Sequence, residues 1–147
     1  MNYTQQATHA IQIAKRIAKE LKHPYVGTEH LLLGLGKVSS GVAAQALAAN
    51  GVTEENVRRV IKELVSPVEQ GHVIAHPEIS PRLEYILDIA QEDAAHLRST
   101  ELGTEHLLLA LIRETDCVAA RILLTMGINL QKIMQDILFV VGVDPKD

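Results

Sequence analysis

Sliding the 147-residue chain against itself by 76 positions brings Gly27-Thr28-Glu29-His30-Leu31-Leu32-Leu33 onto Gly103-Thr104-Glu105-His106-Leu107-Leu108-Leu109, an unbroken run of identities. No other feature constrains the fold as strongly, because a unit used twice must bury the same apolar face in two equivalent settings. The same register carries Val42-Ala43-Ala44 onto Val118-Ala119-Ala120, Leu47 onto Leu123, Gly51 onto Gly127, and Ala14, Ala18 and Leu21 onto Ala90, Ala94 and Leu97. Residues 4–65 and 80–141 are therefore two copies of one unit. The segment 66–79, with Pro67, Gly71 and Pro77, is the expected linker, and its Val73-Ile74 pair is expected to pack down.

Each copy reads as four helices, so the expected fold is all-α with about eight helices related by a pseudo-twofold axis. The first helix of copy one spans about Thr4 to Leu21, with Ala7, Ala10, Ile11, Ala14, Ile17, Ala18 and Leu21 on one stripe. Its partner opens at Ser80 with Pro81 in the first turn, where the missing N–H is harmless, and continues through Leu83, Ile86, Leu87, Ala90, Ala94 and Leu97. Second helices begin at Thr28 and Thr104, whose hydroxyls suit a cap. Third helices close at Gly51 and Gly127. Thr53 and Asn129 cap the fourth, in which Val57, Ile61 and Leu64 match Ile133, Ile137 and Val140.

Composition bounds the function. The chain is 47 % hydrophobic and 22 % charged, which fits one globular domain with an aliphatic core, since it holds no Trp and a single Phe. A chain of this length buries roughly two-thirds of its unfolded surface without disulfides. The net charge of -4 argues against nucleic acid and against a membrane surface. The single cysteine, Cys117, sits in an apolar run and reads as a buried thiol rather than a nucleophile. The N-terminus shows no basic region followed by an apolar one, so a cytosolic location is expected. After the last helix, Gly142 to Asp147 reads as the start of a linker.

Apolar identities between the copies follow from shared packing, but identical polar residues need another reason. Gly-Thr-Glu-His is that exception. Its plain reading is structural: Thr28 and Thr104 as caps, Glu29 and Glu105 answering the helix dipole, and His30 and His106 making hydrogen bonds near the repeat interface. Its functional reading is a helix N-terminus whose free N–H groups suit an anion, beside a carboxylate that suits a cation. Among the seven histidines, His9, His23, His30, His96 and His106 form no close pair by spacing, and His72 and His76 have four-residue spacing in the linker with no Cys or Glu to complete a set, so no metal is expected. Neither a phosphate-binding glycine loop nor a nucleophile motif is present, so neither cofactor nor catalysis is expected of this chain.

The doubled Gly-Thr-Glu-His-Leu-Leu-Leu, each followed by a Val-Ala-Ala helix and a Gly-Val or Gly-Ile turn, resembles the N-terminal domain of ClpC-type AAA+ unfoldases over nearly the whole chain. The resemblance implies a module at the entrance of an ATP-driven ring that feeds a ClpP-type protease. It implies binding of MecA-type adaptors and of proteins marked by phosphoarginine. On the matching motif, Glu29 and Glu105 would meet the guanidinium, with Thr28, Thr104 and the adjacent N–H groups near the phosphate, giving two sites per chain. The chain departs from the family at Tyr3, where Phe is usual, and at Val38-Ser39-Ser40-Gly41 and Glu114-Thr115-Asp116-Cys117, which replace a Gly-Glu-Gly run. Three other readings stand beside this one. A free-standing regulator of Clp protease assembly would share the fold, and a purely structural repeat would bind nothing at either glutamate. A helical DNA-binding regulator would rely on the second and third helices and on Arg58, Arg59 and Lys62.

Overall fold

The computed structural model describes residues 1–65 and 76–142. Most of the expected linker, including His72 and the Val73-Ile74 pair, and the tail from Val143 onward lie outside the described residues. Two sets of four helices follow each other: α1 (Gln5–Glu20), α2 (Thr28–Lys37), α3 (Val42–Ala49) and α4 (Glu54–Leu64), then α5 (Pro81–His96), α6 (Thr104–Arg113), α7 (Val118–Thr125) and α8 (Leu130–Val140).

Local chemistry sets most of these boundaries. The Thr4 hydroxyl accepts from the Ala7 N–H at 3.1 Å and the Ser80 hydroxyl from Leu83 at the same distance, with Pro81 in the first turn of α5. Thr53 and Asn56 satisfy each other's backbone N–H groups at the start of α4, and Asn129 does the equivalent for Lys132 in α8. Gly51 and Gly127 adopt φ of +78° and +75°, the left-handed turn that stops a third helix and aims the chain at the next cap.

Four two-residue strands depart from the purely helical expectation: β1 (Asn2–Tyr3), β2 (Tyr25–Val26), β3 (Glu78–Ile79) and β4 (Glu101–Leu102). β1 pairs in parallel with β4, and β2 with β3, so the segment before each first helix is tied to the segment before the other copy's second helix. The ties extend by one bond each, Thr4 N–H to Leu102 O and Ser80 N–H to Val26 O, both 2.9 Å. Strands this short carry no periodicity for a sequence pattern to reveal. They exist because extended chain entering two neighbouring helices needs partners for its backbone groups.

The halves interpenetrate rather than merely touch. α2 packs on α6 and α7, α3 on α6 and α8, and α4 on α7, around one continuous aliphatic core drawn from both copies. Asn50 adds a polar tie across the halves, donating to Asp136 at 2.9 Å. The buried stripe of α1 takes in Ile13 where Ile11 was expected, and that of α5 takes in Ile89 where Leu87 was; Ile11 and Leu87 pack at the margin. The reason is that α1 meets α6 as well as α2, and α5 meets α2 as well as α6, so each first helix is covered over a wider arc than one stripe. Leu64 and Val140, placed on the core stripe by spacing, are about half exposed because they fall in the last turn of α4 and α8.

Candidate functional site

In both copies Gly-Thr-Glu-His builds the same turn. Gly27 and Gly103 precede α2 and α6, and their N–H groups donate to Nδ1 of His30 and His106, at 2.8 and 2.9 Å. Histidine thus takes the place of the glutamate in a capping box. Glu29 and Glu105 fold back over the preceding glycine, so closely that a Cβ there would overlap the carboxylate. The glycine is needed for that approach.

Thr28 and Thr104 do not cap their own helices, contrary to the sequence expectation. The Thr28 hydroxyl accepts from Ala119 N–H at 3.1 Å, in the first turn of α7, and the Thr104 hydroxyl from Ala43 N–H at 3.3 Å, in the first turn of α3. Each copy caps the third helix of the other. Both threonines are almost fully buried, so their hydroxyls hold the repeat junction together and do not face a ligand. His30 and His106 already supply the local cap, which frees the threonines for this longer reach.

The two turns then diverge. Glu29 is 6 % exposed, whereas Glu105 is partly open. This corrects the expectation of two solvent-facing carboxylates. Burial pushes the Glu29 carboxyl above the usual carboxylate range, with its own backbone N–H opposing in part. Beside the first turn lies His23, itself buried, whose Nδ1 is 2.7 Å from Nε2 of His30. Spacing had suggested no close histidine pair; the reversal of chain after α1 brings these two together with ring centroids 4.9 Å apart. In copy two the matching position is Ser99, whose hydroxyl donates instead to Glu101 O at 2.8 Å.

Around Ser99 a cleft of about 300 Å³ opens, lined by Glu105 and His106 and walled by Val42, Leu97 and Val140. His106 is only 3 % exposed. Its Nδ1 is spent on Gly103, so in the neutral ring Nε2 carries the proton; Nε2 has no hydrogen-bond partner among the described residues and reaches the cleft. Burial lowers the His106 pKa, while the carboxylates of Glu105 and Asp93 push the other way. For His30, burial and then the neighbouring His23 push the pKa down to about 3, so both rings of the pair are neutral near pH 7.

Side-chain donors of His23, Glu29 and His30 lie within 4.8 Å of one another, a set that invites a metal reading. The hydrogen bonds argue against it. Metal-bound imidazole normally donates from its second nitrogen, yet the second nitrogen of His30 accepts from Gly27, so a cation on Nε2 would demand an anionic ring or set two donors against each other. Of the spaced pair in the linker, His76 is exposed and His72 lies outside the described residues.

Other sequence candidates settle quickly. Cys117 is buried; its thiol donates to Leu111 O at 3.4 Å, and burial raises its pKa, so it is a poor nucleophile. Arg58, the centre of the small basic patch, pairs with Glu54 at 3.0 Å and Glu20 at 3.1 Å, which removes the free charge a phosphate backbone would need. Among the described residues no single helix is long and apolar enough to cross a membrane.

Comparison with known proteins agrees with this fold. The model of the Clp repeat (R) N-terminal domain family matches residues 2–126 and again residues 78–146, the second match starting at the offset of the internal repeat. The ClpC/MecB negative regulator of genetic competence from Bacillus subtilis is 35 % identical over 140 residues, covering 95 % of this chain and 17 % of that protein. Chloroplastic ClpC from Pisum sativum is 34 % identical over the same length, covering 15 % of its own. The chain therefore spans about a sixth of these relatives. Among solved structures, the N-terminal domain of ClpD from Arabidopsis thaliana superposes with a TM-score of 0.78 at 23 % identity, covering 95 % of this chain and 97 % of that one. A ClpV N-domain in complex with a VipB peptide superposes with a TM-score of 0.73 at 21 % identity, covering 99 % and 91 %. At those identities the likeness establishes the fold.

Proposed function

The chain belongs to the Clp repeat N-terminal domain family, and from that premise we propose that it is a non-catalytic docking module which receives protein substrates and adaptors for a cytoplasmic Clp ATPase ring and its ClpP-type protease. The observation that carries the proposal is the second-repeat cleft. It sets a carboxylate, Glu105, beside the imidazole of His106, whose Nε2 reaches the cleft, at the N-terminal end of α6.

A ligand for that pair bears a cation and an anion a few bonds apart. The carboxylate accepts from the cation in charge-assisted bonds, and the imidazole N–H together with the first-turn N–H groups of α6 donates to the anion. Phosphoarginine has this form, with a guanidinium joined directly to a phosphoryl group. The apolar wall suits the aliphatic stem of such a side chain. A MecA-type adaptor would engage the same module, and the ClpV N-domain with its VipB peptide is a precedent within the fold for docking of a peptide.

Calorimetric titration with free phosphoarginine tests the reading. Binding is expected, and Glu105→Gln should weaken it by roughly tenfold or more, the loss typical of one charged hydrogen-bonding partner. Absence of heat with the wild-type chain, at concentrations where a phosphoarginine peptide also fails to compete, would reject phosphoarginine as the ligand.

A further inference from the structure

We propose that the first repeat carries a separate docking site, an apolar pocket between α2, α3 and the start of α4, which takes one branched aliphatic side chain, leucine or isoleucine, from an extended segment of a partner protein. The pocket has a volume of about 240 Å³ and a floor of Leu33, Leu47, Val52 and Val57. It shares no residue with the Glu105 cleft, so it stands whether or not that cleft binds phosphoarginine.

The second repeat shows what fills this place when it is closed. Along the repeat offset, Gly36, Ala48, Val52 and Glu54 correspond to Ile112, Leu124, Ile128 and Leu130. At each of these positions copy one has a smaller or a charged side chain where copy two has a larger apolar one. Ile112 is 5 % exposed and belongs to the aliphatic core, so in copy two the second helix supplies its own side chain to the interior. Gly36 has none to supply. A Cβ at Gly36 would meet only Leu47 Cδ1, at 4.0 Å, an ordinary contact distance, so the space beside it is open. The fold itself thus sizes the occupant: a sec-butyl or isobutyl group belongs between these helices.

The polar edge of the pocket indicates what that group is attached to. Lys37 at the end of α2 and Glu54 at the start of α4 both line the pocket and pair at 3.2 Å, with side chains 39 % and 41 % exposed. In copy two Arg113 turns to Asp93 instead, at 2.6 Å, and Leu130 stands in place of Glu54, so the equivalent pair does not form. An ammonium beside a carboxylate offers a donor to a peptide carbonyl and an acceptor to a peptide N–H on either side of the buried side chain. A bulky ligand or a lipid acyl chain is poorly matched, because the volume lies below the roughly 300–1,000 Å³ of ordinary small-molecule pockets and the edge is charged.

Methyl NMR of the chain, titrated with the capped tripeptide acetyl-Gly-Leu-Gly-amide and its Ile, Ala and Asn counterparts, tests the site. Saturable shifts of the Leu47, Ala48, Val52 and Val57 methyls are expected with the Leu and Ile peptides, with Kd on the order of 1–10 mM for burial of a single side chain. The Ala and Asn peptides should bind about tenfold more weakly or worse. Gly36→Ile, which gives copy one the residue of copy two, should weaken the Leu peptide by about tenfold or more, and it should fold because helix propensity and burial both favour it. No saturable shift of these methyls with the Leu peptide overturns the proposal, as does equal affinity in the wild type and a folded Gly36→Ile. Should Gly36→Ile fail to fold, Ala48→Leu, at an exposed position of α3, decides by the same criterion. Methyl shifts that arise on concentrating the chain without peptide would put a second copy in the pocket, and binding of isobutanol without binding of the Leu peptide would restrict it to free small molecules; either result overturns the peptide assignment. A parallel titration with phosphoarginine reads the Glu105 cleft alone, so its failure rejects that ligand and leaves the methyl shifts to decide this pocket.

Discussion

The two halves share a register of 76 residues without a gap, yet they spend the same motif differently. In the first, Thr28, Glu29 and His30 are buried and His23 is hydrogen-bonded to His30. In the second, Gly103-Thr104-Glu105-His106 lies under Ser99 and opens on a cleft. Packing is unequal as well. Gly34 of α2 lies against the Ala10 carbonyl of α1, so near that a Cβ would collide with it, while the second copy holds Ala110 and Ile86 at the same positions. Around this motif the first copy is the tighter, and the second keeps room for a partner.

That contrast can be broken at several points. The largest effect is expected at Gly34. Gly34→Ala forces backbone apart and should cost about 3 kcal/mol, the upper range for overpacking, despite the better helix propensity of alanine. Ala110→Gly, the mirror change, should cost only about 1 kcal/mol. Urea unfolding of both variants measures the difference, and equal losses would show that the helices of the two copies are packed alike.

The reciprocal caps come next. Thr28→Val leaves the buried Ala119 N–H without its acceptor and should cost roughly 2 kcal/mol, while Thr104→Val, at the longer bond, should cost about 1 kcal/mol. Thr28 is the heavier loss because its hydroxyl also reaches the Cys117 thiol, whereas the second-copy threonine faces Gly41, which has no side chain to bond. Thermal unfolding of the single and double variants gives the order, and a larger loss at Thr104 would invert the comparison.

Acid has the smallest effect and sharpens the contrast by sign. The folded pKa of His30 is depressed to about 3, while the unfolded value is near 6.5. The unfolded chain therefore takes up a proton that the folded chain refuses, and stability is full above pH 6.5 and falls as pH drops toward 3. Between pH 7 and 5.5 the loss from this ring should be roughly 1 kcal/mol. Glu29, with a raised pKa, works in the opposite direction only nearer the carboxylate range. Urea unfolding across that interval should show a slope that His30→Gln reduces more than His106→Gln does, because carboxylates near His106 favour its charged form. A profile as steep in His30→Gln as in the wild type would contradict this.

How far the site was legible follows from its parts. The glutamates and the turn that bears them were visible, because polar identity between copies needs a reason beyond packing. The role of the threonines was not, since a hydroxyl that caps a helix of the opposite repeat leaves no local spacing to read. His23 was in plain view, but its meaning lay in a comparison of polar positions that differ between the copies, not in those that agree. Setting His23 against Ser99 along the repeat offset is the signal that would have found it.

By itself the sequence determined the helices, the caps of the first and fourth helices and the duplication, because these depend on neighbours within a few residues and on an offset that can be counted. It determined as well that the second helices carry a carboxylate in their first turn. Only the tertiary structure decided which carboxylate meets solvent, which atom each threonine serves, and that the extended ends pair across the halves. Burial and long-range hydrogen bonds arise where separate segments meet, and the free energy of a charge or a donor is set by what surrounds it there.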